Sequence, residues 1–384
     1  MDDSLNFPIG LDFKSVLIYL LFFSISFFFC YISERNFENK KWIGILSAMM
    51  SIMILCLLSA LRSINVGGDI NVYLLPNFKQ AMLCNTFTEF YSIAIRTELL
   101  FSLLVYIFSK INSLALLFFV IQLLILLPVY FVLYKNRKRC SMTTSYIVYI
   151  FLFYNFSLSG MRQSIATSLM YLAIDYLMNK KYLKFILWAI LAFLFHKGVI
   201  IPLSLIMLIL FFENKKIYKY FLIISVNGMI IFFIFYNQFI DLLDKVFLFI
   251  NPRYSYYIHI YLNDNIQWDD IPTTEIVLKN SIVLCCILFG YYRNKVNIRN
   301  ISILVFTLIG RYFVLLNARM YEALRVAYYF DIFCITLVGN TVYQLNKKLD
   351  RKVISFCLIT PAFLYWIYFI MYIGGYKTNI YTFI

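Results

Sequence analysis

Charge is scarce in this sequence: only 14% of its 384 residues are Asp, Glu, Lys or Arg. Soluble globular domains carry about 25% charged residues, and water cannot solvate a chain with 62% hydrophobic residues. Glycine and proline are also few, at 12 and 7 residues, which excludes low-complexity sequence and long flexible linkers. These shortages predict an all-α integral membrane protein, because helices satisfy their backbone polar groups internally within lipid.

Motifs for metal or nucleotide chemistry are missing as well. The sequence contains no DxD, HExxH or P-loop pattern, and its eight cysteines form no CxxC pair. Most of these cysteines lie in apolar runs, where cysteine behaves as a small hydrophobe. We therefore expect no metal, no cofactor and no disulfide framework. The acidic start, Asp2-Asp3, lacks the basic region of a cleaved signal peptide, so the first apolar run is expected to be a retained span.

Basic residues are numerous but confined to a few places. The formal net charge is +15, yet twenty of the 34 Lys and Arg residues fall in six short clusters between apolar runs. This is the positive-inside pattern of membrane topology, so the basicity predicts topology and not a nucleic-acid-binding face. The clusters are Arg35/Lys40/Lys41, Lys135/Arg137/Lys138/Arg139, Lys180/Lys181/Lys184, Lys215/Lys216/Lys219, Arg293/Lys295/Arg299 and Lys347/Lys348/Arg351/Lys352.

Apolar length predicts about twelve transmembrane helices, because about 20 helical residues cross a hydrocarbon core. The six basic clusters then fall at alternate connections on the inner side, and both termini lie on the outer side. We interpret residues 1–384 as a single polytopic domain with outer loops 62–112 and 237–272. The predicted spans are 14–33, 42–61, 113–134, 143–159, 161–179, 182–196, 198–212, 217–236, 273–292, 300–316, 322–343 and 353–373.

Residues 98–111 are apolar but too short to count as a span, at about 21 Å as a helix. We predict an interfacial or re-entrant helix on the outer side, with Thr97 as its N-cap and Glu98 in its first turn. Both long outer loops, 62–97 and 237–272, contain aromatic and apolar side chains, so we expect both to be ordered.

Two predicted pairs of spans are hairpins with short arms. Residues 182–212 turn at His196, where Gly198 tolerates turn geometry, because a single crossing would violate the charge alternation. Residues 143–179 turn near Gly160. Arms of about 15–19 residues leave such turns below the membrane surface, which is allowed where a turn lines a wet cavity.

Polar residues that need an explanation gather on the outer side of this topology. Charged groups near membrane depth are costly and usually face a cavity or a partner. Several arginines with few carboxylates predict a phosphate-bearing anion, because guanidinium matches phosphate in a bidentate way. An amphipathic phospholipid would suit a pocket half within the bilayer. The candidates are Arg62 and Asp69 in the first outer loop, Arg162 and Gln163 after Gly160, His196, and Arg319 and Arg325 after the span ending near residue 316.

Structural alternatives stay open for most of these residues. Arg162 is the hardest to explain structurally, because the helix macrodipole disfavours a cation at a helix N-terminus. Asp175 and Asp331 fall within predicted spans, and we expect each to form a local pair. The alternatives are a snorkelling Arg62, an ordinary turn at Gly68-Asp69, a satisfied structural His196, and an Arg325–Glu322 pair.

Five segments resemble the EpsG-like family of bacterial exopolysaccharide, capsule and O-antigen repeat-unit polymerases of the Wzy type. Their order and spacing agree with the family over about residues 14–345. The most specific part is Arg162-Gln163-Ser-Ile-Ala, followed about 30 residues later by Phe195-His196. The segments are Arg62…Gly68-Asp69…Tyr73, Glu98-Leu-Leu-Phe, Met161-Arg162-Gln163-Ser-Ile-Ala, Ala192-Phe-Leu-Phe-His196-Lys-Gly-Val-Ile-Ile-Pro202 and Arg325…Tyr328-Tyr-Phe.

The resemblance implies a metal-independent glycosyltransferase with no cofactor, similar in fold to the polytopic lipid-linked (GT-C-like) glycosyltransferases. It implies transfer of a growing glycan from undecaprenyl pyrophosphate onto a new lipid-linked repeat unit. This would occur at the periplasmic, or external, face of the bacterial cytoplasmic (inner) membrane. The implied partners are the undecaprenyl pyrophosphate-linked oligosaccharide, the lipid bilayer and a chain-length regulator, with no nucleic acid.

Residue roles follow from the resemblance together with simple chemistry. Arg162 and Arg325 would stabilise the charge on the leaving pyrophosphate, and His196 or Asp69 would act as the base. The predicted substrate-binding residues are Arg62, Gly68, Tyr73, Glu98, Gln163 and Arg319. Three other functions compete: a flippase or transporter of lipid-linked oligosaccharide, an O-antigen ligase and a membrane O-acetyltransferase. The ligase differs from a polymerase only in its acceptor.

Overall fold

The computed structural model describes residues 10–95, 98–211, 273–291, 298–316, 321–345 and 348–384, together with Lys245. Within these ranges the chain is almost wholly helical, and its one extended pairing is an isolated bridge between Arg62 and Phe383. The predicted all-α class is therefore confirmed. The predicted span 217–236, most of the predicted outer loop 237–272 and the candidate Arg319 lie outside the described residues.

Sixteen α-helices follow one another in the described ranges, and most bounds lie close to the predicted apolar runs. They are α1 Phe13–Asn36, α2 Lys41–Ala60, α3 Leu75–Leu83, α4 Phe87–Ile93, α5 Leu99–Lys110, α6 Leu114–Asn136, α7 Met142–Tyr149, α8 Asn155–Ser159, α9 Met161–Met178, α10 Tyr182–Phe195, α11 Ile200–Phe211, α12 Thr273–Tyr291, α13 Ile298–Leu316, α14 Tyr321–Asp331, α15 Phe333–Tyr343 and α16 Lys348–Tyr365.

Five helical stretches in the described part of the chain are long and apolar enough to cross a membrane. They are Phe13–Asn36, Lys41–Ala60, Leu114–Asn136, Leu324–Tyr343 and Leu349–Tyr372. Five more apolar stretches in this part of the chain are 10–17 residues long, and two of them lie within α12 and α13, which have 19 residues each. The chain is therefore a multi-pass membrane protein, but the structure does not support the predicted count of twelve spans.

Some of the predicted spans are interrupted in the described part of the chain. The predicted span 143–159 consists of α7 and α8, joined by a π-helical stretch at Ile150–Tyr154. The chain breaks at His196 as predicted, with extended backbone there (φ −159°, ψ 113°) followed by the 3-10 turn Lys197–Val199. However, α10 packs on α9, whereas α11 packs on α13 and α14. The chain therefore turns at His196 as predicted, and the two arms pack on different helices.

Helix α9 is largely enclosed, with 15 of its 18 residues buried. It packs against α6, α10 and α14, and small hydroxyl residues such as Ser164, Thr167 and Ser168 allow that close approach. Gly160 separates α9 from α8, and a Cβ added there would lie 2.7 Å from the Phe156 ring. The predicted turn at Gly160 therefore exists, and it places the first residues of α9 beside an aromatic ring.

Residues 62–95 are ordered, as predicted, and fold into a π-helical stretch at Ile70–Leu74 followed by α3 and α4. They are tied to the segment formed by residues 374–384, which we call the 374–384 segment. The Ser63 amide donates to the Thr382 carbonyl at 2.8 Å, and the Gly67 amide donates to the Lys377 carbonyl at 2.9 Å. Two parts of the chain that are distant in sequence thus form one surface layer.

Candidate functional site

A cavity of about 80 Å³ opens beside the start of α9. It lies between the residues preceding α3, the break after α10, helix α14 and the 374–384 segment. Six of the ten predicted site residues line it: Asp69, Tyr73, Arg162, Gln163, His196 and Arg325. The structure thus brings together residues from four separate parts of the sequence.

Glu98 connects two of these residues. One carboxylate oxygen accepts from the Arg162 guanidinium at 2.9 Å, and the other lies 2.8 Å from Nδ1 of His196. The three side chains are 12%, 20% and 22% exposed, so the group is largely shielded yet reaches the cavity. A single carboxylate therefore links the predicted phosphate-binding cation to the predicted base.

The position of Glu98 differs from the prediction. Helix α5 begins at Leu99, so Glu98 is itself the N-cap residue, and its side chain makes no capping hydrogen bond. The predicted N-cap, Thr97, lies outside the described residues. Helix α5 packs on α3, α6 and α10, and this packing brings Glu98 to the break that carries His196. The carboxylate contacts two cavity residues in place of the helix end.

Charge balance explains why Glu98 stays ionised. Burial alone would raise the pKa of its carboxyl group, but the hydrogen bond with His196 and the charge of Arg162 outweigh burial and lower the pKa. Arg162 lies in the first turn of α9, where the helix dipole opposes a cation. Glu98 offsets that cost, and in return it holds the guanidinium at the cavity.

The hydrogen bond to Glu98 also sets the proton positions on His196. An ionised carboxylate accepts from Nδ1, so the neutral imidazole has Nε2 as its remaining acceptor. A Cβ added to Gly198 would approach Nε2 to 3.0 Å. Gly198 lies in the 3-10 turn Lys197–Val199, as predicted, and its φ is not positive. Glycine is needed there because the His196 ring packs closely against it.

Gly67, and not Gly68, shapes the turn that brings Asp69 to the cavity. Gly67 has φ +121°, and an added Cβ there would approach the Leu158 carbonyl oxygen to 2.5 Å. An added Cβ on Gly68 would meet nothing nearer than Ser159 Oγ at 3.5 Å, and Gly68 is not part of the lining. Burial raises the pKa of the Asp69 carboxyl group, although the charges of Arg325 and Arg162 act to lower it.

Arg62 is placed outside the cavity lining. Its side chain is 1% exposed, its guanidinium donates to the Leu158 carbonyl at 2.6 Å, and it lies 4.2 Å from the centre of the Phe118 ring. Burial lowers the pKa of the guanidinium to about 10, so it remains charged at neutral pH. These contacts hold the end of α8 beside the loop that carries Asp69. Arg62 therefore supports the cavity from outside it.

Two further contacts involve the remaining cavity residues. The side-chain amide of Gln163 donates to the backbone carbonyl of Arg325, which joins α9 to α14. Arg162 lies over the Tyr73 ring, 5.6 Å from its centre. The side chain of Glu322, the predicted alternative partner of Arg325, lies outside the described residues. Gln163 thus contacts the backbone of Arg325, and Tyr73 contacts the guanidinium of Arg162.

Several cavity residues were missed by sequence reasoning. They are mostly aromatic or small, and in a chain with 20% aromatic residues such side chains give no distinct signal. Within the described ranges, no group of three or more His, Cys, Asp or Glu residues is arranged to hold a metal ion. The missed lining residues are Phe156, Ser159, Gly160, Leu324, Tyr328 and Tyr376.

Comparison with known proteins identifies the family. A model of the EpsG family matches residues 45–383, which is nearly the whole chain and includes every residue that lines the cavity. No curated protein and no solved structure matches the chain. The match agrees with the multi-pass helical fold and indicates a polysaccharide-related polymerase. The chain therefore belongs to the EpsG family.

Proposed function

We propose that this protein polymerises lipid-linked glycan repeat units at the outer face of the bacterial cytoplasmic membrane. It transfers a growing glycan from undecaprenyl pyrophosphate to a hydroxyl group of a new lipid-linked repeat unit. The proposal rests on one cavity that unites Arg162, Arg325, Asp69 and the His196–Glu98 pair, in a member of the EpsG family.

The donor half of the reaction needs stabilised negative charge. The bond between the anomeric carbon and the pyrophosphate oxygen breaks, and the leaving lipid pyrophosphate takes the electron pair. Arg162 and Arg325 offer guanidinium groups that match phosphate oxygens, and they strengthen their hold as charge develops. This step is achieved by positioned cations, and Glu98 keeps Arg162 in place.

The acceptor half needs a base. A hydroxyl group of the new repeat unit attacks the anomeric carbon, and its proton passes to Nε2 of His196. The hydrogen bond between Nδ1 and Glu98 fixes the ring and stabilises the imidazolium that forms. Asp69, which lines the same cavity, orients the attacking hydroxyl. The products are a glycan longer by one repeat unit and free lipid pyrophosphate.

The outer-face location follows from the topology proposed from the basic clusters. Basic clusters at 135–139 and 180–184 flank the turn at Gly160, and clusters at 180–184 and 215–219 flank the break at His196; with these clusters inside, both sites lie on the outer side. A lipid-linked repeat unit reaches such a cavity from the outer leaflet. The lipid pyrophosphate-linked glycan and the bilayer are the proposed partners, together with a chain-length regulator.

Glycan length on a gel tests the function. Cells that lack this gene are compared with the same cells expressing the wild type or His196→Ala, at equal protein level in the membrane. We expect single repeat units from the deletion, a ladder with the wild type, and single units again with the variant. Loss of all repeat units from the outer face in the deletion strain would instead support export by a flippase. Unchanged polymer in the deletion strain would also contradict the proposal.

A further inference from the structure

Aromatic rings form one wall of the cavity, next to its charged residues. The Phe156 and Tyr328 rings are stacked, with centres 3.8 Å apart and planes within 5° of each other. The Tyr376 ring meets Phe156 edge-on at 5.2 Å. All three residues line the same cavity as Arg162 and His196. The cavity is therefore lined by both charged groups and aromatic rings.

Tyr376 is held by contacts of the 374–384 segment on several sides. The Tyr19 hydroxyl donates to the Thr378 carbonyl at 2.9 Å, and the Asn155 amide donates to the Thr378 hydroxyl at 3.0 Å. The backbone of Tyr376 is left-handed, with φ 64° and ψ 10°, which is unfavourable for a bulky residue. Contacts of the 374–384 segment therefore hold the Tyr376 ring in place and offset the unfavourable backbone conformation of this residue.

The hydroxyl of Tyr328 gives a second, independent indication of a ligand. Tyr328 is 2% exposed, and its hydroxyl finds no hydrogen-bond partner among the described residues. Buried side-chain polar groups are nearly always bonded, so an unbonded hydroxyl at a cavity wall indicates a group that bonds to it when present. A ligand rich in hydroxyl groups would supply that partner.

We propose that Tyr376 forms a binding subsite for a sugar ring of the repeat unit. The C–H face of a pyranose is apolar and carries slight positive charge, so it packs on the negative face of an aromatic ring. Hydroxyl groups at the edge of the same sugar reach the Tyr328 hydroxyl. This inference rests on the proposed function and deepens it: the aromatic wall recognises the glycan, whereas the arginines bind the pyrophosphate.

Kinetics with Tyr376 variants test the subsite. The probe is the lipid-linked single repeat unit extracted from cells lacking this gene, supplied to purified protein in lipid. Tyr376→Ala is expected to raise KM about tenfold with kcat changed little, because stacking binds ground state and transition state alike. Tyr376→Trp and Tyr376→Phe should keep a KM near that of the wild type. The matched control is Tyr372→Ala, an exposed tyrosine that stacks only on Tyr368 among the described residues.

Two results would overturn the subsite. An unchanged KM for Tyr376→Ala would show that the ring does not bind the glycan. Equal losses of kcat for the Ala, Phe and Trp variants would assign Tyr376 a purely structural role. Binding of the same repeat unit, read by fluorescence without turnover, separates this inference from the proposed function. A wild type that binds the repeat unit through Tyr376 but makes no polymer would contradict the function and leave the subsite standing.

Discussion

Two groups of opposite charges lie at the two ends of α9, and they differ in what surrounds them. Near one end of α9, Asp175 bonds to Lys135 Nζ at 2.5 Å and to the Asn136 amide at 2.9 Å, and its side chain is 4% exposed. At the other end, Glu98 is shared by Arg162 and His196, and all three side chains keep 12–22% exposure beside a cavity. Similar residue types thus form one closed pair and one open group.

The two groups differ in whether their charged side chains line the cavity. Asp175 has local partners from α6 and from its own helix, as sequence reasoning predicted for it and for Asp331, which pairs with Arg311. These closed pairs connect helices. In the open group the carboxylate contacts a cation and an imidazole that both line the cavity. Exposure to a cavity, and not the presence of charge, separates the candidate site from the structural pairs.

The largest expected effect is that of removing the Arg162 side chain. Arg162→Ala removes a cation aimed at developing charge and should lower polymer formation by about 10²–10³-fold. Asp175→Ala should leave polymer formation within about twofold, because its partner Lys135 is 24% exposed and can be solvated. Glycan ladders at equal membrane protein level measure both. Full polymer from the first variant, or none from the second despite normal expression, would reverse the assignment.

Helix positions were largely predictable, because apolar length is a local property of the sequence. The predicted spans 14–33, 42–61 and 113–134 correspond to α1, α2 and α6. The breaks at Gly160 and His196 were predictable from polar or small residues inside apolar runs. The number of crossings was not predictable from the sequence. The π-helical stretches, and the packing of α10 and α11 on different helices, depend on contacts between distant parts of the chain.

The candidate site was predictable only in part, for the same reason. Charged residues in an apolar chain stand out, so Asp69, Arg162, His196 and Arg325 were all selected, and topology placed them on one side. The meeting of Glu98 with His196 depends on how α5 packs, which no local pattern encodes. Tyr376 belongs to a segment that reaches the cavity only through tertiary hydrogen bonds. The run Gly374-Gly375-Tyr376-Lys377 is typical of a turn. Site residues were selected from the sequence mainly by charge, so this run was not included.

A smaller effect is expected from removing the charge of Glu98. Glu98→Gln keeps the size of the side chain but removes the charge that fixes Nδ1 of His196, so acid–base assistance should fall by roughly 10²-fold. The variant's initial rate with purified lipid-linked repeat units measures this. Glu38→Gln is the matched control, because Glu38 is 64% exposed and only 3.8 Å from Lys138 in a surface pair. A rate for Glu98→Gln equal to that of the control would remove Glu98 from the mechanism.

The smallest effect concerns stability and pH. The carboxyl pKa of Glu98 is lower in the folded protein than in the unfolded chain, where it is near 4.5. The ionised carboxylate therefore stabilises the fold at pH values above 4.5. That contribution is lost as pH falls through the lowered folded pKa. We therefore expect the Tm difference between wild type and Glu98→Gln to be full at pH 7 and to shrink below about pH 4.5. A difference that grows on acidification would contradict this charge assignment.

The central claim is that the open group at the cavity performs glycan transfer. The most direct measurement reconstitutes the purified protein in lipid with undecaprenyl pyrophosphate-linked repeat units and follows glycan length and release of free lipid pyrophosphate together. The wild type should give a ladder with one lipid pyrophosphate released per bond formed, and Arg162→Ala and His196→Ala should give neither. A ladder from both variants at the wild-type rate would contradict the account.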